Sequence, residues 1–177
     1  MTPAQTSALA QADVMAVSGV DLEHFLDDAV VSSGFKGRMV VTSGVLTAAD
    51  VDNPGAPDPE GAYTIDRGNE RVDVAPWPFP PEEAGEEPEF RFDPHVWTSP
   101  KGTRVQVANL GAGLAAAAPD AASSINAATA SYLEDIDALD EWTAEAIATV
   151  PEGQRVLFTS HDAFGYFSRD YGIRFIG

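Results

Sequence analysis

The chain has 177 residues, of which 28 are Asp or Glu and 10 are Lys or Arg, giving a formal net charge of −18. This deficit of cations excludes a general nucleic-acid binder and disfavours docking on an anionic membrane, because both need a Lys/Arg patch. There is no cysteine, which removes disulfides, thiolate metal sites and cysteine nucleophiles, while the apolar fraction of 44% is enough for a globular core and no apolar run is long enough to span a membrane.

The first residues, Met1-Thr2-Pro3-Ala4-Gln5, lack a basic segment followed by an apolar one and do not read as a secretory signal. Thr2-Pro3 instead suits the start of a short helix, with Thr as cap and Pro at the first helical position. Residues 14–20 read as a buried strand closed at Gly19. Residues 22–31 read as a helix with Leu22, Phe25, Leu26 and Ala29 on one face, and residues 38–45 as a second strand. This strand–helix–strand order predicts an α/β protein with a parallel sheet covered by helices.

From about residue 47 to 91 the chain is rich in Pro, Gly, Asp and Glu. Residues 74–81 hold four prolines, Pro76, Pro78, Pro80 and Pro81, and the acids Glu82, Glu83, Glu86, Glu87 and Glu89 follow. Extended polyproline-like chain is predicted there, either as a solvated acidic insertion or as a functional loop. Residues 90–97 return to strand character, and residues 100–118 read as a helix weakened by Gly111 and Gly113.

The strongest periodicity follows. Ile125, Tyr132, Ile136, Leu139, Trp142, Ile147 and Val150 recur mostly at helical spacing, and Pro151 stops the run. One continuous helix over 120–150 is predicted, packed by Tyr132, Ile136, Leu139 and Trp142 and roughly 45 Å long. Residues 155–160 then form a strand, 163–171 a short aromatic helix ended by Gly172, and 173–176 a further strand.

The three histidines differ in setting. His24 lies in a predicted helix beside Glu23 and Asp27 and reads as a surface side chain paired with acids. His95 and His161 each stand at the C-terminal end of a predicted strand, where α/β sheets bind ligands. Pro94 and Trp97 hold the backbone around His95. Neutral imidazole is the commonest ligand of zinc-like ions, with carboxylates completing such sites. On the residues alone, a shared metal site and two unrelated structural histidines both stand open. His161-Asp162 also suits a metal-dependent hydrolase, yet no further His/Asp cluster, phosphate loop, Gly-x-Ser-x-Gly or His-Glu-x-x-His accompanies it. Asp162 otherwise reads as the N-cap of the helix that follows.

Several segments together resemble one family. They are Phe92-Asp93-Pro94-His95-Val96-Trp97 with Pro100, Asn126 and Tyr132 on the long helix, the run from Thr159-Ser160-His161-Asp162 through Ala163-Phe164-Gly165-Tyr166-Phe167, and Tyr171-Gly172. Ala12-Asp13-Val14 and Gly19-Val20-Asp21-Leu22-Glu23 add to the likeness. The chain resembles the solute-binding proteins of zinc and manganese ABC importers, the periplasmic zinc-uptake and adhesin-like lipoprotein family. Its acidic Pro-rich segment is similar to that family's variable charged loop, here without histidine.

The resemblance implies a binding protein and not an enzyme, with two α/β lobes whose parallel sheets are joined by one long helix and a metal ion held between them. It assigns residues 1–118 to the N-lobe, 119–150 to the connecting helix and 151–177 to the beginning of the C-lobe. His95 becomes the N-lobe ligand and His161 the first C-lobe ligand. A histidine at 161 implies zinc in preference to manganese, since nitrogen-rich ligation favours zinc. An ABC permease is the implied partner and the periplasm or cell surface the implied location. Family members are longer and carry an earlier histidine ligand and a later acidic one, so the chain is expected to be truncated at both ends, with an incomplete metal site. The rival expectations are a folded remnant without metal function and the hydrolase built on His161 and Asp162.

Overall fold

In the computed structural model, which describes residues 2–55, 58, 62–79, 86, 88 and 90–176, Thr2 caps helix α1 (Pro3–Ala10) through a reciprocal pair of bonds with Gln5. Strands β1 (Val14–Val17), β2 (Arg38–Val41) and β3 (Thr64–Asp66) form one parallel sheet in the order β1-β2-β3. Val14 stands opposite Arg38, and Met39 opposite Ile65. Helix α2 (Asp27–Ser33) links the first two strands and the short α3 (Ala48–Asp52) the next two, because parallel neighbours need a crossover. The middle strand is the most deeply buried, with Val40 and Val41 wholly covered.

Helix α4 (Pro100–Ala117) packs on β2 and on α5 (Ala122–Ala148). Beyond α5, strands β4 (Val156–Phe158) and β5 (Arg174–Ile176) make a second parallel pair, linked by α6 (Gly165–Tyr171). The α/β architecture of two parallel sheets joined by one long helix is therefore present.

Three sequence expectations need correction. Residues 22–31 are not one helix: a 3₁₀ turn over His24–Leu26 precedes α2. The chain leaves β1 through Gly19, Val20 and Asp21, all at positive φ, and this sharp entry turns the apolar face. Phe25 is 71% exposed, while Leu26 and Val30 face the core. Second, residues 90–97 form no strand. They make an isolated antiparallel bridge, Pro76 to Phe92, and then a 3₁₀ turn over Val96–Thr98. Pro76 and Pro78 remove the donors that a longer ladder would need.

Third, α5 is unbroken, and a 3₁₀ turn over Pro119–Ala121 leads into it, but only one of its four predicted packing residues is buried. Ile136 is 4% exposed, whereas Tyr132, Leu139 and Trp142 are 54%, 48% and 65% exposed. They line an open apolar groove of about 550 Å³ with Trp97 and Phe167. Gly111 and Gly113 do more than weaken α4. A Cβ on Gly111 would run into Thr129 of α5, and one on Gly113 into Val40 of β2, so the missing side chains let α4 lie close to both neighbours.

The acidic segment is not simply solvated. Arg67 bonds Asp50 at 3.0 Å and also pairs with Asp58, and Arg91 grips Asp52 with two bonds of 2.7 and 2.8 Å. Val72, Val74, Ala75 and Phe92 join a core cluster with Val20, Val45, Val96 and Tyr166. The predicted run Glu82, Glu83, Glu87 and Glu89 lies outside the described residues.

Replacing Ile136 with Ala should cost about 2–5 kcal/mol, and Leu139→Ala only about 0.5 kcal/mol, as denaturant unfolding will show. A second expectation concerns acid. Burial pushes the Asp50 carboxyl up, but Arg67 and the backbone N–H groups of Leu46 and Thr47 outweigh it and hold it below the usual carboxylate range. A depressed folded pKa gives stability that is present at neutral pH and is lost as pH falls through the folded value. The stability gap between wild type and Asp50→Asn should therefore be widest near pH 7 and close below about pH 4.

Candidate metal site

Asp93, Pro94 and His95 leave the Pro76–Phe92 bridge as a tight turn. The Asp93 carboxylate, 1% exposed, accepts through Oδ1 from the His95 N–H and from its Nδ1, both at 2.9 Å. An aspartate that captures the N–H two residues on ends extended chain in this way. His95 itself is 6% exposed. With the carboxylate oxygen as acceptor, the Nδ1 of His95 is the donor in this bond and Nε2 is the nitrogen turned away from Asp93.

His161 comes from a different part of the chain, the turn after β4. Its carbonyl accepts from the Thr159 hydroxyl at 2.8 Å and from the Ala163 N–H at 2.9 Å. The ring is on the surface. The two histidines, 66 positions apart in sequence, meet edge to face: their ring centroids are 5.2 Å apart with an interplanar angle of 82°.

An aromatic wall stands around the His95 ring. Trp77 lies 5.9 Å, Phe90 6.4 Å and Trp97 5.3 Å from the His95 ring, centroid to centroid. Phe79 continues the wall to Phe175 of β5 at 5.2 Å. Pro76 and Pro78, on either side of Trp77, hold this chain extended, so alternate aromatic side chains present to the site. Tyr166, 1% exposed, fastens the arrangement: its hydroxyl donates to the Asp93 carbonyl at 2.7 Å and accepts from the Ala75 N–H at 3.2 Å. Burial raises its pKa far above that of an ordinary phenol, which keeps it a donor.

The structure thus brings His95 and His161 together and leaves His24 aside. The His24 ring is exposed, and its Nδ1 meets the Asp21 main-chain oxygen at 2.8 Å, not an acidic side chain. His95 does not end a strand but a bridge and turn, and Asp162 does not cap α6. Phe164 occupies the cap position without a side-chain bond, because the turn around His161 and Ala163 places Asp162 before it. Among the described residues, no group of three or more His, Asp or Glu side chains is arranged to hold a metal ion. Reasoning from sequence missed the orienting role of Asp93 and the wall of Trp77, Phe79 and Phe90. The alternation of Pro with large aromatics in Pro76-Trp77-Pro78-Phe79 was the available signal for the wall.

Two parallel sheets joined by a long helix, with two histidines brought together between them, is an arrangement with known relatives. The zinc-uptake complex component A periplasmic family, ZnuA, matches residues 1–177, and the chain belongs to it. This is a family of metal-binding solute-binding proteins of transport, not of enzymes, which overturns the hydrolase built on His161 and Asp162. The chain is 41% identical over 86 residues to the manganese-binding lipoprotein MntA of Bacillus subtilis (strain 168), spanning 49% of this chain and 28% of that protein. MntA of Halalkalibacterium halodurans is 29% identical over 175 residues, 99% of this chain and 46% of its own. Zinc-binding protein TroA of Treponema pallidum is 36% identical over 89 residues, 50% of this chain and 29% of its own. The chain therefore spans less than half the length of these curated relatives. A crystal structure of ZnuA shares the fold with a TM-score of 0.70 at 19% identity, over 99% of this chain and 55% of that one. The periplasmic zinc-binding TroA of Treponema pallidum does so at 0.64 and 24%, over 99% and 52%.

Tyr166→Phe should cost about 1–3 kcal/mol, because the buried Ala75 N–H and Asp93 carbonyl each lose a partner. Equilibrium unfolding of the variant beside wild type measures it.

Proposed function

We propose that the chain captures a divalent transition-metal ion between His95 and His161, zinc in preference to manganese. It does so as part of an extracytoplasmic solute-binding component that presents the ion to an ABC permease. The single observation that carries this is the spacing of the rings. Two imidazole nitrogens at about 2.0–2.1 Å from one ion, at a near-tetrahedral angle, put the ring centres roughly 5 Å apart. The observed 5.2 Å between the ring centres matches that separation. Asp93 turns the His95 lone pair outward from the carboxylate, as outer partners of metal-bound histidines do. The net charge of −18 favours approach of a cation and raises its local concentration.

Zinc is placed first because two nitrogen ligands suit it better than manganese, which prefers oxygen. Water or a carboxylate would complete the coordination. In this assignment residues 1–118 form the first lobe, 119–150 the connecting helix and 151–177 the start of the second, and the ion lies where the two units meet. Capture changes no covalent bond in the cargo. The names of the relatives, some manganese-binding and some zinc-binding, support a metal as cargo and an extracytoplasmic setting.

Zinc and manganese titrations against a chromophoric chelator test the proposal. Wild type should take up one zinc ion more tightly than manganese. His95→Ala and His161→Ala should each remove most of that binding, while His24→Ala should leave it unchanged. Zinc at 100 times its dissociation constant should add about 2.7 kcal/mol of stability, reversed by chelator. Binding that survives both substitutions would place the site elsewhere.

A further inference from the structure

The Asp93 carboxylate has a task on each of its sides. Its Oδ1 holds the N–H and Nδ1 of His95, both at 2.9 Å. Its Oδ2 is buried without a hydrogen-bond partner and faces Gly165, where a Cβ would collide with it. Gly165 opens α6, just past the turn that carries His161. We infer that Asp93 is a positioning residue for both histidines: Oδ1 sets which nitrogen of His95 faces outward, and Oδ2, seated against Gly165, sets how closely His161 approaches.

This rests on His95 and His161 being the ion's ligands, and it goes further by naming what holds them in place. The carboxylate cannot rotate freely, because the backbone N–H and the ring both bond the same oxygen. Among the described residues its side-chain partner is the His95 ring. A buried carboxylate with an unpartnered oxygen is unfavourable alone. A cation on the far nitrogen of His95 supplies the missing compensation through the ring. On the other side, Tyr166 bonds the Asp93 carbonyl at 2.7 Å, so α6 is drawn onto Asp93 at two consecutive residues. Only glycine at 165 permits that contact. Any side chain there would push the start of α6 outward and carry the His161 turn with it.

Two readouts test this, and the first needs no metal. In the metal-free, ¹⁵N-labelled chain, long-range proton–nitrogen correlation should show His95 protonated at Nδ1. Asp93→Ala should shift the proton to Nε2, and Asp93→Asn, which keeps an acceptor oxygen, should restore Nδ1. Gly165→Ala should leave the His95 proton in place but abolish the nuclear Overhauser contact between the two rings. In zinc competition, Asp93→Ala should weaken binding about 10–100-fold, with Asn between it and wild type, and Gly165→Ala should weaken it about tenfold. An Nε2 proton on His95 in wild type overturns the role of Oδ1, and an unchanged ring-to-ring contact in Gly165→Ala overturns that of Oδ2. If Asp93→Ala fails to fold, wild type and Gly165→Ala still decide both. Absence of zinc binding by wild type overturns the capture function alone, since the two metal-free measurements stand without it.

Discussion

The hydroxyl of Tyr166 carries two hydrogen bonds on which the rest of the site depends. It reaches from α6 to the carbonyl of Asp93 and to the N–H of Ala75, so it touches the turn that bears His95 and the proline-rich chain that bears Trp77. The phenol is buried within the cluster of Val20, Val45, Val72 and Val96. There, water cannot replace a lost bond, and the geometry is correspondingly firm. Because Tyr166 belongs to the helix that follows His161, the same contact that seals the core also brings the second histidine to the first. Arg169, 5.0 Å above the Tyr166 ring and bonded to the Asp73 carbonyl at 2.9 Å, reinforces the seam at its outer edge.

The acidic proline-rich segment answers to two physical demands. Its prolines cannot donate to a ladder, so the chain crosses the site as an extended strap with free side chains. Some of its acids find cations: Arg67 pairs with Asp50 and Asp58, and Arg91 with Asp52. Those pairs hold the strap where Trp77 and Phe90 wall the His95 ring. The apolar wall keeps the His95 imidazole in a setting of lower polarity, where electrostatic attraction is stronger than in water.

Helix packing shows how small changes in side-chain size position the larger parts. Gly111 and Gly113 admit α5 on one side and β2 on the other. Asn109, 1% exposed, adds a polar hub beneath them, donating to the Thr42 and Glu70 carbonyls at 2.9 and 2.8 Å and accepting from the N–H groups of Asn69 and Glu70 at 3.0 Å. The helix α4 so anchored starts at Pro100, five residues past His95. The orientation of the His95 turn is thus inherited from a rigid helix and not from a loop.

By itself the sequence determined what is settled within a few residues. Thr2-Pro3 starts a helix, the 3.6-residue period marks α5, glycine ends α6, and the absence of cysteine leaves histidine and carboxylate as the metal-binding chemistry. The motifs around His95 and His161 made the family legible as well. What tertiary structure decided are the relations between distant residues. Periodicity marked Tyr132, Leu139 and Trp142 as a face but did not say that the face lies open, because burial depends on what packs against it. Composition left the segment from about 47 to 91 as either a solvated acidic insertion or a functional loop, whereas in the fold Trp77 packs against His95 and Tyr166 bonds Ala75. The nitrogen that His95 presents follows from the carboxylate of Asp93, and its distance from His161 from the space left at Gly165. Neither is encoded in local propensity, since each arises from the close packing of side chains that only the folded chain brings into contact.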